Sequence, residues 1–264
     1  MSSGKYLILM GNDDVFLNKN ILYNLDTELK EINLKEFGFM VTNFEDINTG
    51  VKYLRVGNNT HNKKIIKISQ IFRALSFVSG LIFNGDSARS YKTNRVDGSE
   101  MYQMFLAAKC ICDDKFGYLS SLITVKKDSI ESPLKLIESN FPLPMTRIPS
   151  TIAFGMNLNE HQCNKELISI VNQMYLYIYP YWMVMYKNSN IKLWLKFCFS
   201  LHPNKVLLNK KQNIKKVNYY SILILFYTSL ILSWLIPKKI FNLLEPILHK
   251  IAKWNTRGKV SKNI

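Results

Sequence analysis

The sequence predicts an α/β domain, a sheet with flanking helices, followed by a basic helical region. Three observations predict it. Short apolar runs end in polar turns, helix-period segments lie between them, and beyond residue 157 long apolar and aromatic runs alternate with lysines. A chain of 264 residues with 47% hydrophobic residues can bury a core and carry an appendage. We place the boundary near 150, with a sheet domain over 1–150 and a basic, hydrophobic, membrane-associating helical region over 151–264.

The organising stretch is Lys5 to Phe16, where the apolar run Tyr6-Leu7-Ile8-Leu9-Met10 stops at Gly11-Asn12-Asp13-Asp14. It reads as a buried strand that delivers two carboxylates at its C-terminal end, where open α/β sheets bind ligands. Oxygen donors of this kind suit a hard divalent cation, Mg²⁺ or Mn²⁺, that shares its shell with a substrate's phosphates. The alternative is a polar turn in which Asn12 or Asp14 caps the next helix.

Apolar residues at helical spacing predict a helix over 17–32, and β-branched and aromatic runs predict strands over 37–44 and 51–56, joined by a turn through Asp46, Asn48 and Gly50. Residues 57–64 form a basic loop, either a substrate lid or an exposed connection. A short helix is expected over 65–75 and a core strand over 75–83, with Gly80 inside it marking a close approach of backbone or ligand. Residues 84–100 read as a polar connection before a helix over 101–112. Asp97 then lies just outside that helix and Glu100 in its first turn, where each acts as a cap and dipole partner or as a general base. A strand over 116–125 and a proline-rich segment over 132–149 follow.

The formal charge of +16 is uneven: residues 1–160 hold 19 Lys and Arg against 17 Asp and Glu, and residues 161–264 hold 16 against 2. Residues 167–186, interrupted by Pro180, read as a membrane-abutting helix, and 191–201 as a cationic amphipathic one. Residues 219–236 carry no charge and at about 1.5 Å per residue just match a hydrocarbon core of about 30 Å, so they span it or lie in its surface with 240–254. Zinc-finger, RRM and helix-turn-helix patterns are missing, so the basic region is expected to meet a membrane and no nucleic acid. Cys110, Cys112, Cys163 and Cys198 have neither zinc-site nor disulfide spacing and read as reduced, mostly buried thiols in a cytoplasmic setting.

Residues 4–14, Gly80-Leu81-Ile82-Phe83 and Thr93-Asn94-Arg95-Val96-Asp97-Gly98-Ser99-Glu100-Met101-Tyr102-Gln103 resemble family-2 glycosyltransferases of bacterial capsule and O-antigen polysaccharide biosynthesis, over about 4–128. The resemblance implies part of a GT-A sheet and metal-assisted inverting transfer of a sugar. The donor is a nucleotide-sugar and the acceptor a lipid-linked or polysaccharide glycan, at the cytoplasmic face of the inner membrane. It assigns Asp14 as metal ligand with Asp13 beside it, supporting that ligand or on the ribose side, Asn12 to the acidic turn's first position, Asp97 as base and Glu100 as second candidate. Beside the resemblance, Gly80 is a candidate for close approach to substrate, and Arg89, Lys92 and Arg95 are either cations for donor or acceptor phosphate or solvated loop cations. In the family the acidic turn follows a nucleotide-binding βαβ region, and this chain starts a few residues before the turn. The chain is then a fragment of an interrupted gene, the product of an alternative start, or half of a two-chain enzyme whose separate partner chain supplies the nucleotide-binding half. The rival reading is a truncated, non-catalytic remnant that serves as a membrane-bound scaffold.

Overall fold

In a computed structural model the chain is a mixed α/β protein with a curled sheet and flanking helices. The structure describes residues 3–55, 63–127, 145–157, 161–203, 216–237, 239–244 and 259–261. The basic loop 57–62, the proline-rich stretch through 144 and residues 245–254 lie outside the described residues. The chain divides into a sheet unit, Met1–Arg95 with Gln103–Ile130 and Lys253–Ile264, and a helical unit, Val96–Tyr102 with Glu131–Ala252.

The sheet unit is built on β3 (Phe37–Asp46), a ten-residue strand buried along almost its whole length. Such a strand, covered on both faces, carries an unbroken apolar run, here Phe37, Phe39, Met40 and Val41. On one side β3 pairs antiparallel with β6 (Leu81–Asn84) near its start and with β4 (Lys52–Leu54) near its end. Beyond β6 lies β1 (Tyr6–Leu9), antiparallel, which among the described residues pairs with β6 alone. Beyond β4 lies β8 (Lys259–Ser261). On its other side β3 runs parallel to β7 (Phe116–Lys127), whose far edge takes β5 (Lys63–Ile65) and β2 (Val15–Phe16).

Helices cover both faces. α1 (Ile21–Lys30) turns Leu25 and Leu29 onto Phe37, Met40, Ile82 and Tyr118. On β3, Gly38 lets α3 (Tyr102–Cys112) come close: a Cβ there would stand 2.8 Å from Cys110 Cβ. Burial pushes the Cys110 thiol up to about 12 and the Cys198 thiol likewise, so both are protonated at neutral pH. All four cysteines are free, with Cys112 half-buried and the other three buried.

Several expected elements take different forms. The helix expected from residue 17 begins only at Ile21, because β2 and a turn through Asn18 and Asn20 use the preceding residues. The helix expected over 65–75 is β5 followed by two single 3₁₀ turns, Ile68–Gln70 and Ala74–Ser76. The strand expected over 75–83 starts only at Leu81, since Gly80 turns the chain with φ +74°. Part of the polar connection 84–100 is a helix, α2 (Gly85–Ser90), capped by Asn84 Oδ1 on the Ser87 N–H at 2.9 Å.

The helical unit contains α4 (Ile148–Gly155) and α5 (His161–Gln173), and α5 passes through one wide π turn, Met174–Ile178, into α6 (Tyr179–Ser189). The wide turn accommodates Pro180, which has no N–H to give to a regular ladder. α7 (Ile191–Leu201) and α8 (Lys216–Leu235) pack on α6. Tyr175, Tyr179 and Tyr186 are fully buried, and burial raises all three phenols. The Tyr175 hydroxyl donates to the Leu201 carbonyl, and Lys187 Nζ donates to the carbonyls of Trp234 and Ile236 at 2.7 and 3.1 Å, closing the end of α8.

The charge-free run 219–236 is the body of α8, and among the described residues no helix is long and apolar enough to cross a membrane.

Asn190 caps α7, its Oδ1 accepting from the N–H groups of Lys192 and Leu193 at 3.0 and 3.1 Å. Asn190→Ala is expected to lower the stability of the helical unit by about 1 kcal/mol. Urea unfolding followed by tryptophan fluorescence in a Trp254→Phe background measures this, because the other three tryptophans, Trp182, Trp194 and Trp234, belong to that unit.

Candidate functional site

The chain leaves β1 at one side of the sheet and reaches β2 on the far side of β7 with only residues 10–14 between them. At no more than about 3.5 Å per residue, that short connection must run straight across the end of the sheet. The acidic turn is this crossing. Its Asp14 N–H donates to the Gly11 carbonyl at 3.4 Å, and beyond it the Leu17 N–H donates to Thr124 of β7 at 2.9 Å. Asn12 and Asp13 face solvent, whereas Asp14 is turned in and only 9% exposed.

Ser79 is the hub beneath the turn. Its hydroxyl donates to Asp14 Oδ2 and accepts from the Gly11 N–H at 2.7 Å. Its carbonyl accepts from Arg55 Nη2 at 2.7 Å. Arg55 holds three more carbonyls: Nε donates to Thr42 at 2.8 Å, and Nη1 to Ala74 at 3.2 Å and Phe77 at 2.7 Å. The guanidinium carbon also lies 5.5 Å from the Phe44 ring centroid and 5.2 Å from that of Phe77. Burial pushes the Arg55 guanidinium down to about 9, opposed by the negative charge of Asp14, so it remains cationic at neutral pH.

Gly80 packs behind this hub. Its carbonyl accepts from Thr42 Oγ1 at 2.8 Å, and Thr42 Oγ1 lies 2.5 Å from Thr124 Oγ1. Thr42 of β3, Thr124 of β7, the β1–β2 connection, the residues just before β6 and Arg55 just after β4 thus meet in one polar knot at the end of the sheet. Asp14 Oδ1 is buried there with no hydrogen-bond partner. A buried carboxylate oxygen left bare costs roughly 1–3 kcal/mol or more, so the position favours a cation or a donor group.

The other expected site residues fall elsewhere. Arg89 sits on α2, where it pairs with Asp86 at 2.6 Å and donates to the Gly4 carbonyl at 3.0 Å, tying down the segment before β1. Arg95 is exposed, and its N–H donates to Thr93 Oγ1 at 3.2 Å. Asp97 and Glu100 are exposed and belong to the helical unit, whereas Asp14 belongs to the sheet unit. Glu100 is not in the first turn of α3, which starts at Tyr102. Gly98 and Glu100, with φ +70° and +58°, turn the chain before it. Buried Ser99 serves the helix start, its Oγ accepting from the Met101 N–H at 3.3 Å.

An Mg²⁺ or Mn²⁺ ion that keeps several waters and a substrate phosphate needs one or two protein carboxylates. On this turn Asp14 Oδ1 is buried without a hydrogen-bond partner, whereas Asp13 and Asn12 face solvent. Among the described residues no group of three or more His, Cys, Asp or Glu is gathered as a self-sufficient metal cluster. Ser79 and Arg55 were outside the sequence expectation: Ser79 stood inside an expected strand, and Arg55 was one charge in an apolar run.

Compared with protein-family models, with curated proteins and with solved structures, the chain matches none.

Proposed function

We propose that the knot around Asp14 binds the diphosphate of a nucleotide-sugar together with Mg²⁺ or Mn²⁺, and that the chain serves sugar transfer to a lipid-linked or polysaccharide acceptor in the manner of a GT-A glycosyltransferase. The observation that carries this reading is Asp14 itself, a carboxylate buried at the strand end with one oxygen held by Ser79 and the other bare. The divalent ion supplies positive charge to the departing diphosphate. Asp14 and Asp13 hold it, and the Asn12 amide adds an oxygen without adding charge. Asp97, exposed and followed by Gly98, accepts the proton of the acceptor hydroxyl as that oxygen bonds the anomeric carbon and the bond to diphosphate breaks. Glu100 is the second candidate for that proton.

A second reading, a non-catalytic membrane-bound scaffold, is favoured by the partners of Asp14, since the Ser79 hydroxyl and the charge of Arg55 also serve a structural carboxylate. Calorimetry with MnCl₂ and a panel of nucleoside diphosphates separates the two. Wild type is expected to bind a nucleoside diphosphate only with Mn²⁺ present, and Asp14→Ala to weaken that binding by at least about tenfold. Asp97→Asn is expected to bind as wild type does and to lose transfer of labelled sugar to a lipid extract. Absence of Mn²⁺-dependent binding, or equal binding by Asp14→Ala, leaves the scaffold.

A further inference from the structure

We propose that the helical unit docks flat on the surface of an anionic lipid bilayer, with the outward face of α8 and the exposed stripe of α7 in the headgroup–acyl boundary. This docking does not rest on the sugar-transfer reading.

α8 is inside-out for a helix in water. Its buried face is Ile222, Phe226, Ser229 and Ser233, at helical spacing. Ser229 and Ser233 can be buried because their hydroxyls donate to the carbonyls of Leu225 and Leu230 on the same helix, at 2.7 and 2.8 Å. The opposite face carries Ile224, Tyr227, Ile231 and Leu235, with Ile224 and Leu235 each 66% exposed. A soluble helix packed on a core shows the reverse distribution.

α7 adds the cationic half of the surface. Trp194, Phe197, Cys198 and Leu201 point inward, while Ile191, Leu195 and Phe199 form an exposed stripe with Lys192 and Lys196 between them. The Trp194 and Trp234 rings lie 5.4 Å apart and join α7 to the end of α8. Residues 239–244 continue the pattern with Ile240, Leu243 and Leu244 exposed, held to α6 by Phe241 against Tyr181 at 6.1 Å.

Charge selects the occupant. Residues 161–264 carry 16 Lys and Arg against 2 Asp and Glu, so a second copy of this region would bring like charge against like, whereas an anionic leaflet attracts it. Apolar stripes edged by lysines, with exposed Tyr227 and Trp234, match a surface-lying helix. The inner face of α8 is committed to α6 through Lys187 and the buried residues above, which favours lying in the surface over crossing it.

The test uses the full chain with vesicles of phosphatidylcholine alone or mixed with phosphatidylglycerol. Wild type is expected to sediment with the anionic vesicles at low salt and to be released as salt rises. The triple variant Ile224→Asn, Ile231→Asn, Leu235→Asn changes only exposed positions, and with its circular dichroism unchanged it is expected to lose about tenfold or more in partition. Lys192→Gln with Lys196→Gln is expected to lose about tenfold, chiefly at low salt. Bromines placed near the headgroup are expected to quench tryptophan more than bromines near the bilayer centre. Equal partition of wild type and the triple variant overturns the proposal, as does stronger quenching from the centre. Salt-sensitive retention on DNA without vesicle binding, or a dimer abolished by the triple variant without vesicle binding, overturns it in favour of another partner.

Discussion

Gly80→Ala is expected to destabilise the sheet unit by about 3–4 kcal/mol, from left-handed backbone strain of about 1–2 kcal/mol plus overpacking of about 1–3. At φ +74° an L side chain is strained, and its Cβ would stand 2.5 Å from Thr42 Oγ1, 2.6 Å from Thr124 Oγ1 and 3.2 Å from Arg55 Nη2. None of these neighbours is a loose chain end, since each is held in the knot. Chemical denaturation followed by far-UV circular dichroism measures the loss. Adding Thr42→Ala and Thr124→Ala to Gly80→Ala should return part of it, because the clash is with their oxygens, and the coupling is read from the mutant cycle. Simple additivity would show that backbone strain alone is responsible.

Arg55→Met is expected to remove about 3 kcal/mol from the same unit. Four carbonyls, of Thr42, Ala74, Phe77 and Ser79, lose their donor at once. Abandoned buried acceptors cost about 1–3 kcal/mol each where water cannot reach them. Lysine is expected to rescue little, because one ammonium cannot span a fork that serves four acceptors and also lies near two rings. Amide hydrogen exchange localises the effect: protection should fall across residues 74–84 and in β3, while helices α5 to α8 keep theirs. Unchanged exchange in 74–84 would show that Arg55 does not hold that segment.

Much of the architecture was legible. Apolar, β-branched and aromatic composition marked β1, β3 and β7, and the turn residues Asp46, Asn48 and Gly50 marked the β3–β4 hairpin, where Asp46 Oδ1 accepts from the N–H groups of Asn48 and Thr49 at 2.9 and 2.8 Å. Helical spacing marked α1, α3 and α7, and the charge-free run 219–236 marked α8. What failed did so for local reasons. Leu75 to Phe83 has strand composition, but a positive φ at Gly80 ends the 3₁₀ region and delays β6. The Asn84 cap starts a helix too short to show a period.

The candidate site was half legible. Asp14 stood out as a carboxylate at a strand end, and Gly80 as a glycine in an apolar run. Their neighbours could not be inferred, because Ser79, Arg55 and Thr124 meet Asp14 and Thr42 through the sheet, which periodicity does not record. Asp97 and Glu100 were expected at a helix start that the structure places at Tyr102, after the positive-φ residues Gly98 and Glu100, with Ser99 serving the first turn.

The separations within the knot set an order of assembly. Asp14 waits for Ser79, 65 residues later, and Thr42 for Thr124, 82 residues later, so no local hairpin or helix can preform the pocket. Contacts this distant in sequence form slowly, because chain entropy is lost before they reward it. During synthesis the acidic turn therefore stays open to solvent until the last strand around it has left the ribosome, and the closed surroundings of Asp14 should emerge late and all at once.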